Sequence, residues 1–281
     1  MAKAQGIIGN YKGKIGNTVG YQLTSSNNKQ TQGIRIYQPN VKNPKTSAQA
    51  EQRAKLAPIN ATYRALKMVI DRGNEGLPYG NKSRLAWLKQ AFKAPHMPWF
   101  EKGAVINVPV GCQLTKGSLG SLNYGASSDT LNVDVANLEA STDVSTIGKI
   151  SAALLAAYPM LKVSDQLTFV FISTTSNTMD SSVVSFVIDS TSTVAAKTLF
   201  VNVTAGSGKI LFEGQSNADA VALIVSREGD NGQHLRSTEF IKFASGITSA
   251  APFDADSKTA AIKSYMASGA ANTDWEQEPI D

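Results

Sequence analysis

The chain has 281 residues, 42% hydrophobic and 17% charged, with 27 Lys and Arg against 22 Asp and Glu for a net charge of +5. That length and composition suit one large or two ordinary folded domains and exclude a chain disordered along most of its length. The single cysteine, Cys112, excludes an intramolecular disulfide framework, and the two histidines, His96 and His234, lie too far apart in sequence for a zinc-ligand spacing, so no metal or other cofactor is expected.

The charge is unevenly placed. Residues 1–103 hold 17 Lys and Arg against 4 acids (net +13), which leaves 10 against 18 (net −8) for residues 104–281. Such polarity predicts a polyanion, nucleic acid or the acidic surface of a neighbouring copy, as the partner of the first part. No apolar run reaches the roughly 18–20 residues of a membrane span and the N-terminal stretch has no apolar signal core, so synthesis in the host cytoplasm is expected.

Glycines at 6, 9, 13, 16 and 20 repeat at a helical period, yet interior glycines cost about 1 kcal/mol each relative to Ala, so extended chain with tight turns at Gly9-Asn10 and Gly16-Asn17 is expected. Val19, Tyr21 and Leu23 alternate within Thr18 to Thr24. Ile34 and Ile36 do so within Gly33 to Gln38, which predicts a hairpin with these apolar residues inward and Arg35 and Tyr37 outward. An outward Arg beside a Tyr suits stacking on bases while holding phosphate. Seven basic residues and no acid precede Glu51. Lys12, Lys14, Lys29, Arg35, Tyr37, Lys42 and Lys45 from this stretch, with Arg53 and Lys55 just after Glu51, are the candidate polyanion-binding residues.

A helix capped by Thr46 or Ser47 is expected to run to about Arg72, with Leu56, Ile59, Tyr63, Leu66 and Ile70 as its apolar seam and Pro58 kinking or dividing it. Arg53, Lys55, Arg64, Lys67 and Arg72 occupy its other faces. A second helix, capped by Asn81 and running to about Lys93, is expected to bury Leu85, Leu88 and Phe92. Pro95 to Phe100 reads as a rigid aromatic linker. Beyond it, short strands near 104–109, 130–136, 167–174, 182–189, 198–204, 209–214, 219–227 and 237–243 predict an antiparallel β-sandwich of immunoglobulin-like or jelly-roll type, interrupted by a helix over 147–160 and followed by another over 256–267. The expected class is therefore α+β. Its parts are a basic hairpin and helix region over 1–103, the sandwich over 104–245, and a C-terminal helix with an acidic tail over 246–281.

Catalytic signatures are weak. No Gly-x-Ser-x-Gly elbow occurs, and Gly206-Ser207-Gly208-Lys209 lacks the upstream glycine and the following Ser or Thr of a phosphate loop. The acid pairs Asp129 with Asp134 and Asp254 with Asp256 are common loop features as well as candidates for glycoside hydrolysis, and a non-enzymatic protein is expected.

Gly13-Lys14-x-Gly16-Asn17-x-Val19-Gly20, the hairpin after it, and Asn43-Pro44-x-Thr46-x-Ala48-Gln49-x-x-x-Arg53 resemble the signature of an uncharacterised domain family found in Bacteroidota, in their phages and in small phage-like genomes from gut metagenomes. The likeness covers the first hundred residues, and the remainder is similar only in being an expected β-sandwich. The resemblance implies a Bacteroidota host and a phage or mobile-element origin, hence a virion location if a phage encodes the chain. It implies no reaction and carries over no site residue.

The expected function is accordingly structural, a self-assembling component of a phage particle or similar complex. A sequence-nonspecific nucleic-acid-binding protein is the alternative and a host cell-surface binding module the third reading. For assembly, the acidic segment Asp274, Trp275, Glu276, Glu278, Ile280 and Asp281 is expected to meet the basic region of another copy head to tail.

Overall fold

The computed structural model describes residues 13–24, 30–37, 46–92, 99–103, 112–127, 130–175, 178–214, 218–229, 232–243 and 255–267. The chain divides into two units, Met1–Lys45 and Thr46–Asp281.

The first unit contains a three-stranded antiparallel sheet of β1 (Gly13–Ile15), β2 (Thr18–Thr24) and β3 (Gln30–Ile36) in sequential order. Gly16-Asn17 makes the two-residue turn between β1 and β2, with Gly16 at a φ of 56°, a conformation glycine adopts without a steric cost. The register corrects the expected inward set. Val19 lies opposite Arg35 and Tyr21 opposite Gly33, whereas Ile34 and Ile36 pair with Gly20 and Thr18. Directly opposed residues share a face, so the two isoleucines stand on the face away from Val19 and Tyr21, and Ile36 is 70% exposed. The ring of Tyr21 covers Gly33 so closely that a Cβ there would meet it at 2.5 Å, and this aromatic-on-glycine packing sets the register.

The second unit begins with three helices: α1 (Ser47–Ala65), α2 (Lys67–Ile70) and α3 (Asn81–Ala91). There follow β4 (Gln113–Thr115), β5 (Tyr124–Ser127), β6 (Thr130–Asp134) and α4 (Ile147–Ala157). Two ten-residue strands, β7 (Gln166–Thr175) and β8 (Thr178–Val187), lead through a short 3-10 turn to β9 (Asn202–Gly206), β10 (Lys209–Glu213) and β11 (Ala220–Glu228). The short strands β12 (His234–Arg236), β13 (Glu239–Phe240) and β14 (Lys242–Phe243) precede α5 (Ala255–Ala267). All pairings between these strands are antiparallel, in a four-stranded sheet β5-β6-β10-β9, a five-stranded sheet β12-β11-β7-β8 with β14 also on β11, and the pair β13-β4.

The five-stranded sheet is the middle layer, because its central strands are buried on both faces. Along β7 and β11 the side chains alternate between two cores, as strand geometry requires. Leu167, Phe169, Phe171, Val221, Leu223 and Val225 join Leu131, Val133, Ile210 and Phe212 of the four-stranded sheet and Ile150 and Leu154 of α4. Val170, Ile172, Ala220, Ala222 and Ile224 face the helices, against Ile59, Leu66, Val69, Ile70, Trp87 and Ala91. Phe169, Phe200 and Phe212 meet with ring centroids 4.6–5.0 Å apart at the centre of the first core. The small Ala220 and Ala222 leave room for the helices to approach the second face.

The helices therefore share a core with the β-structure, and the expected boundary at residue 103 cuts through one packed unit. The class is α+β, with helices on one face of an antiparallel sheet. Two further expectations are corrected in α1 and α3. Pro58 does not divide the helix, since it lies buried within an α1 that runs unbroken from Ser47 to Ala65, and the division falls instead at Leu66 (φ −109°, ψ 20°). Thr46 caps α1 by accepting the Gln49 N–H at 3.3 Å, but α3 begins after Gly80 (φ 87°) with Asn81 as its first helical residue and no side-chain cap. The expected strand over 104–109 lies outside the described residues.

Candidate functional site

The helical layer carries the densest positive charge among the described residues. Residues 46–92 contain Arg53, Lys55, Arg64, Lys67, Arg72, Lys82, Arg84 and Lys89 against Glu51, Asp71 and Glu75. Each of the three acids is engaged within the fold. Glu51 bridges Lys55 at 2.8 Å and Lys258 of α5 at 3.2 Å, and these ammoniums hold its carboxyl below the usual range. Asp71 accepts the Tyr63 hydroxyl at 2.9 Å. Burial of Glu75 opposes its ionisation, but the backbone N–H groups of Ser118 (2.8 Å) and Arg236 (3.1 Å) outweigh that and hold its carboxyl low.

On α1 the buried residues Ala50, Ala54, Pro58, Ile59 and Thr62 leave Arg53, Asn60 and Arg64 on the opposite stripe, and Arg53 and Arg64 are exposed, as is Lys67 of α2. On α3 the buried stripe is Ser83, Trp87 and Ala91, so Lys82, Leu85, Lys89 and Phe92, spaced 3, 4 and 3 apart, point away from the core. Leu85 is 55% and Phe92 37% exposed. This overturns the expectation that both are buried; of that trio only Leu88 packs partly against the core.

The reversal has a specific cause. Ser83 donates its hydroxyl to the Ile70 carbonyl at 2.8 Å and accepts from the Asn74 backbone and side chain, so a residue that reads as polar is fully satisfied inside. Trp87 fixes the orientation further, donating Nε1 to the Gln113 carbonyl at 2.9 Å. The result is a solvent-facing helix stripe in which cations alternate with large apolar side chains.

Of the residues expected to bind polyanion, Lys14, Arg35 and Tyr37 belong to the first unit and share one face of its sheet, because Lys14 pairs with Val19 and Val19 with Arg35. The cation over the Tyr37 ring is Lys14, 3.6 Å from its centroid. Arg53 and Lys55 belong to the second unit, where Arg53 is exposed and Lys55 is committed to Glu51 beside Trp99. Lys12, Lys29, Lys42 and Lys45 lie outside the described residues, as do Asp274, Trp275, Glu276, Glu278, Ile280 and Asp281. Sequence reasoning missed Lys82, Leu85, Lys89 and Phe92 as a group. The available signal was that Leu85 has lysines three before and four after it on one stripe, a pattern that a buried helix face does not tolerate.

Other parts of the second unit carry less. One cleft of about 500 Å³ is lined by residues that include Phe171, Asp180, Ser181 and Ser182, and another of about 650 Å³ by residues that include Trp99, Glu101, Lys102 and Asp256; among the described residues neither has a histidine or cysteine in its lining. Among the described residues no three His, Cys, Asp or Glu side chains gather to hold a metal ion. Asp129 and Asp254, one member of each acid pair singled out above, lie outside the described residues. Burial pushes the Cys112 thiol up to about 12, which makes it inert as a nucleophile at neutral pH. No helix of the described residues is long and apolar enough to cross a membrane.

Fold and surface together define an α+β protein that displays a basic and apolar helical face. Comparison of the chain with models of protein families, with curated proteins and with solved structures finds no match.

Proposed function

We propose that the protein is a non-enzymatic structural subunit of a self-assembling complex, of the phage-particle kind that the N-terminal resemblance implies, and that the outer face of the helical layer is its contact surface. The single observation behind this is the α3 stripe Lys82, Leu85, Lys89 and Phe92, which leaves Leu85 exposed between two lysines and Phe92 partly exposed beyond the second. Apolar surface costs about 25 cal/mol per Å² to leave exposed, and a partner offering apolar anchors ringed by acids recovers that cost and answers the charge. On this reading the two antiparallel sheets form a sandwich of immunoglobulin-like or jelly-roll type whose role is to support the helical layer.

The exposed Arg53, Arg64 and Lys67 favour a second reading, in which the layer binds nucleic acid without sequence preference. Arg53 and Arg64 span about 16 Å of α1 at 1.5 Å per residue, with Lys67 just past the break at Leu66, a length suited to several phosphates. Light scattering of the purified full-length protein, with and without nucleic acid and over a range of salt, separates the two. Concentration-dependent assembly without nucleic acid supports the structural role. A monomer whose only association is salt-sensitive binding to nucleic acid supports the second.

A further inference from the structure

We infer that the acidic segment 274–281 of one copy docks on the α3 stripe of the next, joining copies head to tail; the inference rests on the assembly role proposed above. The stripe alternates two cations, Lys82 and Lys89, with two exposed apolar side chains, Leu85 and Phe92. The segment is complementary in both respects. Asp274, Glu276, Glu278 and Asp281 surround Trp275 and Ile280, and no basic residue lies among them.

The lengths agree as well. Lys82 to Phe92 covers about 15 Å of helix, and the backbone from Asp274 to Asp281 reaches about 23–25 Å when extended. Residues 268–273, Ser-Gly-Ala-Ala-Asn-Thr, are small and uncharged, a tether composition between the end of α5 at Ala267 and the acids.

Trp275 and Ile280 supply the anchors, covering Leu85 and Phe92, while the carboxylates set register and association rate against the lysines. Nucleic acid answers the lysines alone and leaves the leucine and phenylalanine wet, which is why a protein segment fits the stripe better. Docking within the same chain would cap the face of every molecule and leave no contact for assembly.

The test uses two full-length variants, Leu85→Glu, which breaks the face, and Trp275→Ala, which breaks the segment. Because Leu85 is exposed, the thermal midpoint of Leu85→Glu is expected to match that of the intact chain, and Lys89→Glu serves as a second variant of the face. In sedimentation, each variant alone is expected to self-associate at least roughly tenfold more weakly than the intact chain. Mixed, Leu85→Glu and Trp275→Ala are expected to form a one-to-one complex that stops there, since only one intact segment meets one intact face.

If the intact chain assembles and both variants assemble equally well, or if the mixture forms no complex, the docking is wrong while the assembly role stands on another contact. Loss of nucleic-acid binding in Leu85→Glu with assembly unchanged assigns the stripe to nucleic acid and also overturns the docking. An intact chain that never assembles removes the assembly role itself.

Discussion

Leu85 and Trp87 stand two residues apart on α3 and face opposite ways: Leu85 is 55% exposed, while Trp87 is 1% exposed and hydrogen-bonded to the Gln113 carbonyl at 2.9 Å. The larger apolar side chain holds the helix to the sheet, and the smaller stands on the exposed face. Replacing Leu85 by Ser is therefore expected to change unfolding stability by no more than about 0.5 kcal/mol. Trp87→Ala is expected to cost about 3–5 kcal/mol through the cavity it opens. Urea unfolding of the two variants checks the difference, and equal losses would put Leu85 in the core.

Arg227 grips Asp165 with two hydrogen bonds, Nε to Oδ1 at 2.6 Å and Nη2 to Oδ2 at 2.7 Å, and also donates to the Met160 carbonyl. Asp165 is 1% exposed while the arginine side chain keeps 20%, so the two partners are not equivalent. Arg227→Met leaves a buried carboxylate without its cation and is expected to cost about 3 kcal/mol or more. Asp165→Asn leaves an arginine that water can still reach and is expected to cost less. Chemical denaturation of both variants at one pH tests the order.

Glu239 is 3% exposed, and its Oε1 has no hydrogen-bond partner among the described residues. Burial raises its pKa above the ordinary 4.5, against the lowering effect of Ser237, Ser121, Tyr124 and Lys242. A folded-state pKa raised above the unfolded one means that the folded protein binds the proton more tightly. This contribution is full below about 4.5 and is lost as pH rises through the folded value. Glu239→Gln keeps the shape without the charge. It is expected to flatten that part of the pH profile and to raise stability at neutral pH, as measured by thermal unfolding in a series of buffers.

Gly148, in the first turn of α4, lies so close to the chain beside it that a Cβ there would stand 2.4 Å from the Ser192 carbonyl oxygen and 2.9 Å from that of Ser190. Helix propensity alone favours Gly→Ala by about 1 kcal/mol. Here the contact reverses the sign, and Gly148→Ala is expected to destabilise by about 1–3 kcal/mol. A rise in the unfolding midpoint would show that the 190–192 segment yields freely.

Much of the fold was legible in the sequence, and the misses share a physical basis. Strands β6 to β11 and helices α4 and α5 follow from alternation and from runs between turn residues. The strands 113–115, 124–127 and 234–236 are too short to show a period. The run Ala220 to Val225 signals a strand buried on both faces, and taken that way it would have placed the helices on the sheet, not in a separate domain. Ile34 and Ile36 misled because hairpin register, set by Tyr21 over Gly33, outranks the pattern of a single strand. The basic character of the helices was plain in the sequence, but the α3 stripe was not, because hydropathy assigns Ser83 to the surface and Leu85 to the core. The hydrogen bonds from Ser83 to Ile70 and from Asn74 to Ser83 reverse both assignments.

The central claim, that the outer face of α3 is an assembly contact, is tested most directly by the sedimentation mass of the full-length protein as concentration rises, measured beside the double variant Lys82→Glu with Lys89→Glu. The account predicts a mass that climbs above that of one chain for the intact protein and stays at one chain for the variant. An intact protein that remains at the mass of one chain at every concentration, or a variant that assembles as readily, would contradict it.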